Sequence, residues 1–303
     1  MSKLTGGFLH VSVLNDLYTG MTKALEQKGI KKKEESFSVK ELVAQLKASK
    51  KPKPTLFVID FVGDVQATGV DALAREVSAV IDTAKPTDEV LLRLDSPGGV
   101  VHGYGQAAAE LERLKQANIR LTVAVDQVAA SGGYMMACIA DRIVAAPLAI
   151  VGSIGVIAEM PNIHKLLQKV GIEYEQAVAG EYKRPLSVFT ENTSDGREKF
   201  TETVQKTHEL FRSHVQTHRS IKDFDKVANG HVFYGQEALS KNLVDEIATS
   251  ESLISQYCRT HKVITLRWME PVSWADRLGM VAQLTLSHAI DGVTNRLTRL
   301  RLG

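Results

Sequence analysis

Cysteine is nearly absent: Cys138 and Cys258 are the only two in 303 residues. They stand far apart and without metal-type spacing, which excludes a disulfide framework and a cysteine zinc site, and Cys138 reads as core packing. A surplus of one charge is missing as well. Against 37 Lys and Arg stand 35 Asp and Glu, a formal net charge of +2, so no nucleic-acid partner is expected. No stretch approaches the roughly 20 apolar residues of a membrane span. The nearest, residues 143–158, is uncharged but is interrupted by Pro147, Gly152, Ser153 and Gly155, and reads as buried strands with turns. The amino terminus lacks the charged, apolar and small-residue layout of a signal peptide. The chain as given is expected to be soluble.

What is present is an alternation of strand and helix. It follows an amphipathic stretch at 11–27, a basic run at Lys31–Lys33 and a short capped helix from Ser38 to Lys47. The proline- and lysine-rich piece at 50–54 breaks that helix and marks a domain boundary. From there the pattern predicts strands at 55–61, 89–94 and 121–125 and helices starting at Thr68 and spanning 104–116. Such alternation implies right-handed crossovers and a mostly parallel sheet, with sites beyond the carboxyl ends of the strands. Further strands are expected at 141–146, 150–157, 172–178 and 263–268. Helices are expected at 163–170 and from Ser194 through Val215, and the stretch Phe233–Ile247 reads as a turn at Phe233-Tyr234-Gly235 plus a further helix ending at Ile247. The division is an extension and linker at 1–53, a main α/β domain at 54–255, and a carboxyl-terminal extension at 256–303. The last carries an amphipathic, basic tail suited to packing on the domain or a neighbouring subunit, or to lying on an anionic membrane surface.

One position breaks character abruptly. Before Ser131 the chain is β-branched and apolar; after it, Gly132 and Gly133 open a small-residue run that reads as a buried helix. Serine is a preferred N-cap residue, so capping alone would explain it. A serine there also lies beside free amides where developing negative charge is favoured. The turn Asp95–Val100 sits at another strand end, and Gly98 and Gly99 offer backbone amides of the kind an oxyanion hole requires. His102 and Asp126 are the nearby candidates for a triad, though nothing compels one. Serine hydrolysis also runs with a lysine base, provided burial favours the neutral amine, and Lys183 lies in a loop at 179–185. His214 and His218, four apart on a predicted helix, have metal-like spacing but no evident third ligand, and read as a surface pair. No metal or cofactor is expected.

Taken in order, Asp95-Ser-Pro-Gly-Gly, Ala129-Ala-Ser-Gly-Gly-Tyr, Gly152-Ser-Ile-Gly-Val and Gly180-Glu-Tyr-Lys-Arg resemble successive blocks of the signal peptide peptidase A family of serine proteases (peptidase family S49). His102-Gly-Tyr-Gly and Tyr234-Gly-Gln resemble its SohB branch. The resemblance covers roughly residues 54–250. It implies an α/β, crotonase-like (ClpP-like) fold with a mostly parallel sheet and flanking helices. It also implies a Ser-Lys dyad of Ser131 as nucleophile and Lys183 as general base, with Ser153 orienting the lysine and Gly98, Gly99 and Gly132 binding the oxyanion. Substrates would be short apolar peptides such as signal-peptide remnants. The assembly would be a homo-oligomer with active sites between subunits, with peripheral membrane contact. Relatives of this branch resemble inner-membrane proteins with a periplasmic catalytic domain, whereas no such span is visible here. Two other readings compete: a crotonase-type acyl-CoA hydratase or thioesterase, whose acidic residues have no convincing counterpart, and a non-catalytic scaffold.

Overall fold

The computed structural model describes residues 6–29 and 53–270. The helix expected at Ser38 and the amphipathic tail lie outside the described residues. The chain separates into two units, one from Val11 to Arg267 and a second to which, of the described residues, only 6–10 and 268–270 belong.

In the larger unit, β2 (Thr55–Val62), β3 (Glu89–Asp95), β4 (Arg120–Val125) and β6 (Arg142–Ala145) pair in parallel, with β9 (Glu246–Ile247) beyond β6 and β10 (Lys262–Met269) on the other side of β2. With β1 (Phe8–Val13), the sheet order is β1–β10–β2–β3–β4–β6–β9. The central strands are continuous apolar runs because parallel strands are covered on both faces: Leu56, Val58, Leu91, Ala124, Val144 and Val263 share one buried cluster with Leu253 and Ile254. Helices α1 (Leu14–Gln27), α2 (Val70–Thr83) and α3 (Val101–Gln116) precede the crossovers or make them. On α2, Val70, Leu73, Val77 and Val80 form the buried stripe, as the helical period requires.

A second, three-stranded sheet was not anticipated. β5 (Val128–Ala130) pairs in parallel with β7 (Ile150–Gly152), which pairs antiparallel with β8 (Val232–Tyr234). Helix α4 (Gly132–Ala137) is wholly buried behind β5. The turn and helix expected over Phe233–Ile247 are instead β8, a short α8 (Gly235–Ser240) and β9. Gly235 permits the sharp start of α8, because a Cβ there would fall 2.1 Å from the Ala146 carbonyl oxygen. Helix α9 (Ser250–Thr260) then leads into β10.

After β7 the chain leaves the core. Between Ile157 and Asp195 it holds one short helix, α5 (His164–Lys169), and the single buried residue is Ser187. The strand expected at 172–178 does not form; the segment has alternating apolar residues but no partner strand to hydrogen-bond, and Ile172, Tyr174 and Val178 are exposed. Helix α6 (Ser194–His218) returns to the body, its start capped by the Thr193 hydroxyl, which accepts the Gly196 amide at 3.0 Å. The one-turn α7 (Phe224–Val227) precedes β8.

Candidate active site

Three chain turns converge at the carboxyl ends of β3, β5 and β7. Ser96, the residue after β3, bridges to Ala129 of β5, with its amide on the Val128 carbonyl at 2.8 Å and its carbonyl accepting the Ala130 amide at 3.0 Å. Ala130 stands opposite Gly152 in the parallel β5–β7 pair, so the next residues along each strand are Ser131 and Ser153. The Ser131 amide donates to the Gly152 carbonyl at 2.8 Å. The Asp95–Val100 turn and the Ser131 turn adjoin closely: a Cβ on Gly98 would lie 2.7 Å from Ser131 Cβ, the Gly132 amide nitrogen and the Ala130 carbonyl oxygen.

Ser131 has φ 51° and ψ −119°, a conformation that costs a side-chain-bearing residue on the order of 1–3 kcal/mol. Its amide is held by Gly152 and its carbonyl by the Met135 amide at 3.0 Å, so the surroundings impose the strain. The side chain makes no capping bond, which removes the N-cap explanation. Ser131 is half-buried, at a strained strand-to-helix turn immediately before the first amides of α4.

The glycine turn rests on a buried relay that the sequence reading missed. The Gly98 amide donates to Ser96 Oγ at 3.1 Å; Ser96 Oγ lies 2.6 Å from Tyr104 Oη, and Tyr104 Oη donates to the Asp64 carbonyl at 2.9 Å. Since the tyrosine proton is spent on Asp64, the Ser96 hydroxyl donates to Tyr104. Tyr104 and Ser96 are both fully buried, and burial raises the Tyr104 phenol above its ordinary value. The Tyr104 ring also covers Gly132, where a Cβ would approach to 2.3 Å. Both residues lie in quoted sequence blocks, Asp95-Ser-Pro-Gly-Gly and His102-Gly-Tyr-Gly; only the fold reveals that their hydroxyls meet. With Gly98 committed to Ser96, the amides of Gly99 and Gly132 have no hydrogen-bond acceptor among the described residues.

Ser153 also has positive φ, 50°, with its amide on the His231 carbonyl at 2.7 Å. Helix α6 braces the same turn, His208 Nε2 lying 3.1 Å from the Ile154 carbonyl. Lys183 is placed differently. It is exposed on the 157–195 arm, its amide closing a turn onto Gly180 at 3.1 Å, and among the described residues its ammonium meets neither Ser131 nor Ser153. His102 is exposed, and the Asp126 carboxylate is taken by the amide and hydroxyl of Ser250 at the start of α9. Neither is hydrogen-bonded to Ser131.

Away from this site, the His214–His218 pair is half-buried, and Glu112 of α3 supplies the third group that the sequence reading did not find, with ligand atoms within 4.8 Å of one another. Burial, and then the neighbouring His214, hold His218 below the ordinary imidazole value.

The family profile described as Peptidase family S49 matches residues 113–263, and that of Peptidase family S49 N-terminal matches residues 2–111. The chain belongs to peptidase family S49. Its architecture is therefore the ClpP-like fold of that family, and the chain is a peptidase. It is 46% identical over 247 residues to "Probable protease SohB" of Haemophilus influenzae, covering 82% of this chain and 70% of that protein. It is 49% identical over 220 residues to "Probable protease SohB" of Buchnera aphidicola from Acyrthosiphon pisum, covering 73% and 66%. More distantly, it is 28% identical over 209 residues to "Protease 4" of H. influenzae, covering 66% of this chain and 32% of that one. Among the described residues no helix is long and apolar enough to cross a membrane.

Proposed function

We propose that this S49 peptidase cleaves peptide bonds with Ser131 as nucleophile and Lys183 as general base. The observation that carries the reading is the strained backbone of Ser131, held by hydrogen bonds on both sides and uncapped, in a turn that serves no structural end visible in its side chain. Attack of the hydroxyl oxygen on the carbonyl carbon forms a tetrahedral oxyanion, and the amides of Gly99 and Gly132 are the free donors beside it. Gly98 holds the turn rather than donating. The base takes the hydroxyl proton and passes it to the leaving amine, and water then releases the acyl group. Ser153, adjacent to Ser131 across the strand pair, is the orienting hydroxyl. A crotonase-type hydratase has less support, since the carboxylate nearest the nucleophile in sequence, Asp126, is engaged in anchoring α9.

A lysine serves as base where burial favours the uncharged amine, and in a single chain Lys183 is exposed. The arm that carries it has almost no core of its own and shows Ile157 86% exposed, with Val170, Ile172 and Val178 also open. We therefore place a second copy of the chain against this arm, burying Lys183 at a site that the two share. Short apolar peptides, extended across the turn, are the substrate class; peripheral membrane contact fits the same reading.

The test is labelling with an active-site-directed fluorophosphonate and peptide mapping. Covalent modification at Ser131 is expected, absent in Ser131→Ala; a folded, oligomeric wild type left unlabelled would reject the serine mechanism and favour a scaffold. Lys183→Arg should be as inactive as Ser131→Ala, because a guanidinium is no base near neutral pH.

A further inference from the structure

We propose that Glu112, His214 and His218 form a binding site for a zinc-class divalent metal ion, separate from the peptidase site. The two histidines stand one turn apart on α6, their rings 4.8 Å apart at centroid, and His218 Nε2 lies 2.9 Å from Glu112 Oε1 of α3. One ring nitrogen of His214 is already engaged. Its Nε2 lies 3.0 Å from the Met135 carbonyl, which only accepts, so Nε2 carries the proton and the lone pair sits on Nδ1. Metal-ligating histidines characteristically give their second nitrogen to a carbonyl in this way, which fixes tautomer and ring angle.

Two imidazoles and a carboxylate are the donor set that suits zinc and leaves a coordination position open. The ligand atoms lie within 4.8 Å of one another, whereas bonds of about 2.0–2.2 Å to a tetrahedral ion separate ligands by about 3.3 Å. The closure needed is at most about 1.5 Å, within reach of side-chain rotation about a helix-borne histidine or glutamate. A cleft of about 250 Å³ between α3, α4 and α6 adjoins the group, lined by Glu112 and His214 together with Ala108, Met135, Leu210 and Phe211. That cleft gives an entry path and room for water or a small anion as fourth ligand. The nearby cation Lys115 is occupied by Asp141 at 3.2 Å and the Ile139 carbonyl at 3.0 Å. A bound ion would tie α3 to α6 and tighten the His214 bond to Met135, on the helix whose first turn begins at Ser131.

The site is tested on the full chain, stripped with chelator and titrated with Co²⁺ under visible absorption, with Zn²⁺ as competitor. One Co²⁺ per chain with four- or five-coordinate bands, displaced by Zn²⁺, is expected. Glu112→Gln and His218→Asn, checked for native circular dichroism, should each weaken binding about tenfold or more, and Zn²⁺ should raise the melting temperature of wild type but not of these variants. Glu112→Gln keeps the shape of the side chain, so its result stands even if a histidine variant misfolds. A folded wild type that binds no Co²⁺ at about 1 mM, far above the range of built zinc sites, would overturn the proposal. So would binding that neither variant changes.

Discussion

Ser131 is where residue chemistry and backbone strain coincide. If its φ of 51° is imposed by the fold, glycine, which adopts positive φ freely, should relieve it while alanine should not. Ser131→Gly and Ser131→Ala are both expected to be inactive, with the glycine variant the more stable by about 1 kcal/mol. Denaturant titration of the two decides; equal stability would mean that the turn is unstrained. Tyr104 is the second residue to test. Tyr104→Phe removes the acceptor of Ser96 and the donor to Asp64, and leaving such buried groups unmatched costs about 1–3 kcal/mol. Because the relay holds the turn that carries the Gly99 amide, kcat should fall about tenfold or more with KM little changed, as for loss of an oxyanion contact. A variant that loses stability but keeps kcat would confine Tyr104 to packing. The sequence marked Ser131, Gly98 and Gly99 because glycine and serine at strand ends are readable signals. It concealed the relay because Tyr104 lies on a helix and Asp64 in a loop, and nothing local states that their oxygens meet.

At the scale of elements, the strands of the parallel sheet were legible wherever burial on both faces gave an unbroken apolar run, as at Val90–Leu92 and Val123–Val125. Residues 172–178 carry instead an alternating apolar pattern yet form no strand, since a strand is made by its partner and none lies alongside among the described residues. β5 and β8 are three residues each, too short for any periodicity to register, whereas β7, also three residues, is the first part of the longer strand expected at 150–157. The α9–β10 junction offers a test of electrostatics. Burial pushes His261 below its ordinary value of 6.5, against the opposing pull of Glu89 and Asp88. Its ring also meets the Thr260 hydroxyl at 2.8 Å and stacks edge-on with Tyr257. A histidine depressed in the folded state binds fewer protons there than in the unfolded chain. Its stability contribution is therefore complete above about 6.5 and is lost as pH falls below it. Wild type should lose more stability between about pH 7.5 and 5.5 than His261→Gln does. Parallel denaturant midpoints for the two proteins would show that the ring is solvated if they fall together.

At the scale of the whole molecule, the proposed mechanism raises the question of where its base comes from. The single chain assembles the proposed nucleophile, its strained turn and free amides in one body, yet leaves Lys183 on an arm whose apolar residues face outward. If a neighbour completes the site, Ser131 of one chain meets Lys183 of another. An assembly made from Ser131→Ala and Lys183→Ala subunits then contains some junctions with both native residues, although each parent protein is dead. If instead the arm folds back onto its own chain, every subunit in the mixture lacks one essential group and no mixing ratio restores hydrolysis. Co-expressing the two variants with different tags, purifying through both tags in turn and assaying peptide cleavage separates the cases. Partial activity, below wild type because only some junctions are complete, is the expected result. Verified mixed assemblies without activity would reject the shared site while leaving Ser131 and Lys183 in their roles, since fluorophosphonate labelling reads the nucleophile independently of where its base resides.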